Sequence, residues 1–465
     1  MYRVLFFIKN KLNRKVLAMN IALAHFRVGE TDGVSLEMDK WKLQLEKMGH
    51  NVYLLAGSTG STTGYVIPEL HYKSEDNNRF VQNAYYKLED YKDGDELETA
   101  ILEYADRISA GLEKFLKEYQ IDILVPNNMW SLGWGLPAGI ALYNTVKKLN
   151  VHCVAHNHDF NWERVRYSNP TCDNVKRMLA KYFPPKDDLI KHVVINDIAR
   201  CEIKKRKDID ATIVPNVFDF KAPLWKIDDY NRDFRETIGV TEDDILVLQA
   251  TRIAERKAIE LAIDVIAQMQ SDKNLDELYT SKLYNGKVFN KDSKIVYVMA
   301  GLPESEPGYI ETLQAKAVKL GVKMIFVNDV VEHSRGAVDG KKCYSLWDVY
   351  AHADLVTYPS VLEGWGNQFL EAIFAKKPVI VYEYPVYETD IKSKGFDVIS
   401  LGNTHEVDKD GLCTVNKSII EKAAAEAVEI LIDNKKREKV TEKNFAICEE
   451  HFSYESLYRI LSDLF

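Results

Sequence analysis

The segment ADLVTYPSVLEGWGNQFLEAIF carries two acidic residues eight positions apart, Glu363 and Glu371, beyond a strand-like apolar run. A helix starting near Asn367 places Glu371 just over one turn inside it. Gly364 and Gly366 let the backbone approach a bound molecule closely, and the N–H groups at a helix start favour an anion such as a diphosphate. A carboxylate one turn deeper accepts hydrogen bonds from a vicinal diol. Taken alone, the segment equally suits a glycine-rich turn with two surface glutamates, so its neighbours decide. QATRIAERKAIELAI presents Arg252 and Lys257 just ahead of a helical pattern, where two fixed cations can neutralise a departing diphosphate. Basic residues at a helix start oppose the helix dipole, which favours ligand binding over solvated surface charge. Arg256 reads as surface, and neither Arg252 nor Lys257 reads as core.

A second dense polar run, VAHNHDFNWERVRY, places His156, His158, Asp159, Trp162, Glu163, Arg164 and Arg166 directly after a strand. As a metal site it is poor: residues i and i+2 of an extended segment point opposite ways, and no third ligand is evident. Arg164 and Arg166 suit an acceptor carboxylate or phosphate. The acidic DxD matches, DID at 208–210 and DKD at 408–410, lack neighbouring nucleotide features and read as surface acids. No obligatory metal or cofactor is therefore expected.

These groups must be held by a scaffold, and the apolar runs describe one. NIALAHF (20–26), a Gly-containing loop, a helical pattern and NVYLLAG (51–57) make a strand, loop, helix, strand unit. IDILVPN (121–127), VHCVAHN (151–157), HVVIN (192–196) and ATIVPN (211–216) continue it. Residues 58–95, polar and Tyr-rich, are expected on the surface rather than in the sheet. PNVFDFKAPLWKIDDYNRD (215–233) suits a linker. The alternation restarts with DILVLQA (244–250), KIVYVMAG (294–301), VKMIFVN (322–328), DLVTYPS (354–360) and KPVIVYE (377–383). The expected architecture is α/β: two doubly wound domains, 19–217 and 234–448, an interdomain cleft, and a C-terminal helix over 449–465. In such sheets ligands sit beyond the carboxyl ends of the strands, where every group named above lies.

With 465 residues, 46% hydrophobic and 28% charged, the chain has material for two cores. A net charge of −9 argues against nucleic acid or an anionic membrane as partner. Six cysteines without CxxC or zinc spacing read as reduced thiols, suiting a cytoplasmic protein. The first 18 residues, basic and without a long apolar run, read as an extension upstream of Met19 or as a short arm, not as an export signal.

The ordered motifs RxxxxK at 252–257, E-x7-E at 363–371, IVPNVFD and the late FSYE resemble the family 4 retaining glycosyltransferases, also called group 1, from Met19 onward. The resemblance implies a GT-B fold, a nucleoside-diphosphate sugar as donor and a small molecule as acceptor. It implies that Arg252 and Lys257 hold the diphosphate, Glu371 the ribose and Glu363 the transferred sugar. A histidine matching His156 or His158 contacts that sugar, and Gly33, in place of the usual GG, lies on the acceptor side with Asp159, Arg164 and Arg166. HDFxWER is similar to a subgroup that makes mannosylglucosylglycerate-type solutes, which points to GDP-mannose and glucosylglycerate. UDP-glucose remains an alternative donor. A glycoside phosphorylase, a sugar-nucleotide epimerase and a non-catalytic binding protein are the rival classes.

Overall fold

The computed structural model describes residues 18–30 and 32–465; residues 1–17, on which the upstream-extension reading falls, lie outside them. The chain divides into two compact units, 1–216 with 457–465, and 217–456.

In the first unit, β1 (Asn20–Ala24), β2 (Asn51–Ala56), β3 (Tyr65–Val66), β4 (Ile123–Pro126), β5 (His152–Asn157), β6 (Ile190–Val194) and β7 (Ala211–Ile213) form one sheet in the order β3-β2-β1-β4-β5-β6-β7. Every pairing is parallel. The near-continuous apolar runs follow from this, because helices cover both faces of a parallel sheet. Helix Gly33–Lys47 starts where the Asp32 side chain accepts from the Val34 and Ser35 N–H groups. Helices Gly94–Glu118 and Leu136–Leu149 bury Ile101, Ile108, Leu112, Ile140 and Leu142 in the main core.

Residues 58–95 depart from expectation. They contribute β3 to the sheet edge, and helix Glu75–Tyr85 buries Phe80, Val81 and Ala84 in the main core together with Ile67, Leu70 and Tyr72. The segment is polar by count, yet its aromatic rings do the packing: Phe80 meets Tyr91 and Tyr104, and Tyr65 meets Phe115.

The second unit repeats the plan. Its strands β8 (Ile245–Gln249), β9 (Ile295–Met299), β10 (Lys323–Phe326), β14 (Leu355–Tyr358), β15 (Val379–Val381) and β16 (Ile399–Ser400) run in the order β10-β9-β8-β14-β15-β16. Between β10 and β14 an unforeseen small sheet forms from β11 (Val331–Glu332), β12 (Gly336–Val338) and β13 (Lys341–Ser345). The stretch expected as a linker belongs to this unit from Val217, where Phe218 bridges to Ser453 and packs on Phe374. The pattern over 449–465 is divided between helix Asn434–His451 and helix Tyr454–Leu464, and residues 457–465 belong to the first unit, where Phe465 meets Trp41 edge-on. Among the described residues no helix is long and apolar enough to cross a membrane.

Phe80→Ala should destabilise the protein by about 3–5 kcal/mol in denaturant unfolding. A loss below about 1 kcal/mol, the scale of surface changes, would return this segment to the surface.

Candidate active site

Both sheets reverse their strand order at one point, between β1 and β4 in the first unit and between β8 and β14 in the second. In each unit the loops leaving its own two central strands lie at the usual ligand position of an open α/β sheet.

In the second unit the loop after β8 makes a 3-10 turn, Glu255–Lys257, and Ala258 takes a left-handed conformation (φ 42°) before helix Ile259–Met269. This turn sends Lys257 inward to 4% exposure, where its Nζ pairs with Glu363 Oε1 from the loop after β14. Lys257 is therefore a core residue, contrary to the sequence expectation. Burial holds its amine below the usual range, against the pull of the Glu363 charge. Arg256 is exposed, as expected, and also places Nη1 3.4 Å from Glu363 Oε2. Arg252 lies outward and pairs with Glu304 at 2.6 Å.

Glu371 sits on helix Asn367–Phe374, where it accepts a hydrogen bond from Tyr350 Oη at 3.1 Å. Gly366 precedes that helix at φ 138° and supplies no capping side chain. The Tyr384 hydroxyl, which donates to the Trp365 carbonyl at 2.7 Å, stands where a Cβ at 366 would go. Gly364 lies between Glu363 and this lock. Three buried polar atoms around the loop, Tyr358 Oη, Ser360 Oγ and Trp365 Nε1, have no hydrogen-bond partner among the described residues. Such groups normally find partners, and a polar ligand would supply them. Gly301, after β9, abuts the Thr251 carbonyl so closely that any side chain would displace it.

In the first unit His25, Asn127 and His156 lie at the ends of β1, β4 and β5. The Nδ1 atoms of His25 and His156 lie 2.7 Å and 3.0 Å from the backbone and side-chain oxygens of Asn127. Both oxygens only accept, so both rings carry the proton on Nδ1 and present Nε2 as a lone pair. Burial pushes His25 and His158 down to about 4 and holds His156 well below its usual value. The rings of His156 and His158 do not point apart: their centroids are 4.3 Å apart. The alternation fails because β5 ends at Asn157 and His158 lies in a bend, with its N–H held by Asn128 Oδ1 at 3.0 Å. Trp41 stacks on His156 at 4.4 Å.

Asp159 accepts from Asn128 Nδ2 at 2.7 Å and is gripped by Arg164 through Nε at 3.0 Å and Nη2 at 2.5 Å. Arg164 is thus occupied by a neighbour, and Arg166 lies over the Tyr86 ring. Burial, with the Asp159 charge adding to it, pushes the Glu163 carboxyl up to about 7. Gly33 opens helix Gly33–Lys47, with open space where its side chain would be. The DxD acids have turn roles: Asp208 pairs with Lys186 and Lys204, and Asp408 accepts from the Asp410 and Leu412 N–H groups.

Sequence reasoning missed Arg256, Glu304, His25, Asn127 and Asn128. The last three lie within two residues of the carboxyl ends of β1 and β4, and a search of every strand's carboxyl end would have reached them.

Solved structures with this arrangement define the fold class as GT-B. A glycosyltransferase from Rickettsia africae superposes with a TM-score of 0.58 at 13% identity, covering 96% of this chain and 97% of that one. The sucrose-phosphate synthase of Thermosynechococcus elongatus gives 0.57 at 14% identity, with 96% and 98% covered. The family model for glycosyl transferases group 1 matches residues 231–446. The mannosylglucosylglycerate synthase of Petrotoga mobilis is 43% identical over 418 residues, 89% of this chain and 94% of the relative. That of Thermotoga maritima is 39% identical over 444 residues, 96% and 99%. The chain belongs to the glycosyl transferases group 1 family and is a glycosyltransferase.

Two outcomes are expected here. Gly301→Ala should push the Thr251 carbonyl aside, destabilising the protein by about 1–3 kcal/mol and lowering activity through displacement of Arg252; unchanged melting and turnover would show that the contact yields freely. Because the folded His25 ring titrates at about 4 against an ordinary 6.5, the unfolded chain binds more protons between those values, and stability falls as pH drops through them. The slope should be about 1.4 kcal/mol per pH unit for such a ring. His25→Asn should flatten the measured slope by about that much, and an unaltered slope would mean that the ring is not buried neutral.

Proposed function

We propose that this chain transfers a mannosyl group from GDP-mannose to glucosylglycerate, with retention of anomeric configuration and no obligatory metal. The carrying observation is the cation set at the switch point of the second sheet: Lys257 buried against Glu363, with Arg256 and Arg252 beside it. Fixed guanidinium and ammonium groups can absorb the charge that develops on a leaving diphosphate, the task a divalent ion performs elsewhere. The choice of sugar and acceptor is supported by the activity for which the two relatives are named, 43% and 39% identical across most of the chain.

In this reading the second unit holds the donor. Arg252, Arg256 and Lys257 face the diphosphate, and Glu371, oriented by Tyr350, accepts from the ribose diol. Glu363 accepts from a hydroxyl of the hexose, with Gly364, Gly366 and Asn367 forming the backbone bed for the phosphates. The first unit contributes neutral imidazoles: His156 and His158 offer lone pairs suited to sugar hydroxyls rather than to phosphate. Gly33 and Asp159 stand on the acceptor side. Arg164 reaches an acceptor carboxylate only by exchanging Asp159 for it, and Arg166 only by leaving Tyr86.

Transfer runs on one face of the sugar. The bond from the anomeric carbon to the diphosphate oxygen breaks, the acceptor oxygen bonds to that carbon, and the acceptor's proton passes to the departing phosphate oxygen. The free cysteines suit a cytoplasmic setting.

The test is direct. GDP release from GDP-mannose should depend on glucosylglycerate and persist in excess EDTA, and NMR of the product should show the anomeric configuration of the donor. Arg252→Ala should lower kcat/KM by about tenfold or more with the fold intact, because the side chain is exposed. Lys257→Ala should lower both activity and stability, because the buried Glu363 loses its inner partner and keeps only the more exposed Arg256. Turnover of UDP-glucose alone would replace the donor, phosphate-dependent release of sugar 1-phosphate would identify a phosphorylase, and an inverted product would end the same-face mechanism.

A further inference from the structure

The loop after β9 lies along the loop after β8. The Ile253 N–H donates to the Leu302 carbonyl at 2.9 Å, and the Glu304 N–H donates to the Ile253 carbonyl at 2.9 Å. The Glu306 N–H donates to Glu255 Oε1, also at 2.9 Å. With Gly301 against Thr251, these bonds set the Glu304 backbone beside the cations and bring its carboxylate onto them. Oε1 lies 2.6 Å from Arg252 Nη1 and Oε2 lies 3.7 Å from Arg256 Nη2.

Arg252 and Glu304 are 57% and 45% exposed, whereas the side chains of Lys257 and Glu363 are 5% and 10% exposed. The inner pair is part of the core. The outer pair is open to solvent, contributes little to stability and can be exchanged for another anion. A carboxylate meets a guanidinium much as a phosphate does, through oxygens on the fork of N–H groups.

We propose that Glu304 holds the anion position on Arg252 that the donor diphosphate takes over when it binds. It thereby sets the affinity for donor and for nucleoside-diphosphate product and speeds departure of the product. This rests on the donor reading given above. A bound diphosphate must displace Glu304 from Arg252 and remain near its charge. Removing that charge strengthens binding of every nucleoside diphosphate, whatever its base.

The experiment compares the full chain with Glu304→Gln and Glu304→Asp, titrating GDP and inorganic pyrophosphate by calorimetry and measuring inhibition by GDP during turnover. Glu304→Gln should bind both about three- to tenfold more tightly at low ionic strength, with the gain shrinking near 0.5 M salt, as expected for a screened charge. Inhibition by GDP should strengthen by the same factor. Glu304→Asp, which keeps the charge, should stay close to the native protein. Equal or weaker binding by Glu304→Gln, with native binding measurable, would make Glu304 a residue that positions Arg252 and overturn the proposal. Equal tightening by the Asp and Gln variants would show a loosened loop rather than a lost charge, and would overturn it too. If the native protein bound neither GDP, UDP nor pyrophosphate, the donor reading would fall first and this inference with it.

Discussion

An ammonium and a carboxylate buried against each other, Lys257 and Glu363, tie the second unit's two central loops together. Each alone would be expensive to remove from water, and together they are tolerated only while the geometry is kept. The partners are 106 residues apart and meet because β8 and β14 are neighbours in the sheet. Around them stand features with no other evident purpose. A left-handed Ala258 turns Lys257 inward, Tyr384 locks the backbone at Gly366, and Gly301 gives the Thr251 loop room to lie flat. Loss of the pair would release two loops at once, and with them Arg252, Arg256 and the start of the helix that carries Glu371.

The first unit has the same strand order about its switch point, but its crevice is built from a different currency of interaction. Asn127 accepts hydrogen bonds from two imidazoles and so fixes their tautomers. Asn128 holds Asp159 and the His158 backbone. Helix Gly33–Lys47 contributes at two levels, opening at Gly33 and, two turns on, stacking Trp41 on His156. Hydrogen-bond direction fixes the imidazoles of this crevice, and the Asp159–Arg164 ion pair stands beside them.

The parallel strands were legible because burial on both faces leaves unbroken apolar runs, and all eleven expected runs overlap an observed strand. The motifs at Arg252, Glu363 and Glu371 were legible for a related reason: they follow such runs, where a doubly wound sheet places its ligands. What escaped depends on direction rather than position. Whether Lys257 points inward is settled by the conformation of Ala258, which no periodicity reports. The approach of His158 to His156 needs the chain to leave β5 one residue early. Glu304 meets Arg252 only after two loops have been zipped together. In residues 58–95 the core residues are few and spread among polar ones, and two of them, Tyr72 and Tyr85, have polar tips that hide their apolar bodies from a hydropathy count.

The strand order that the two units share about their switch points bears on how such a protein can change over evolutionary time. The second unit's crevice holds a buried ammonium–carboxylate pair and the first unit's holds two imidazoles bonded to one asparagine, and each is assembled from the ends of its own strands. Substitutions that reshape one need not disturb the electrostatics of the other. Selection can therefore reshape one crevice while leaving the other as it is, a modularity by which one scaffold gives rise to many specificities.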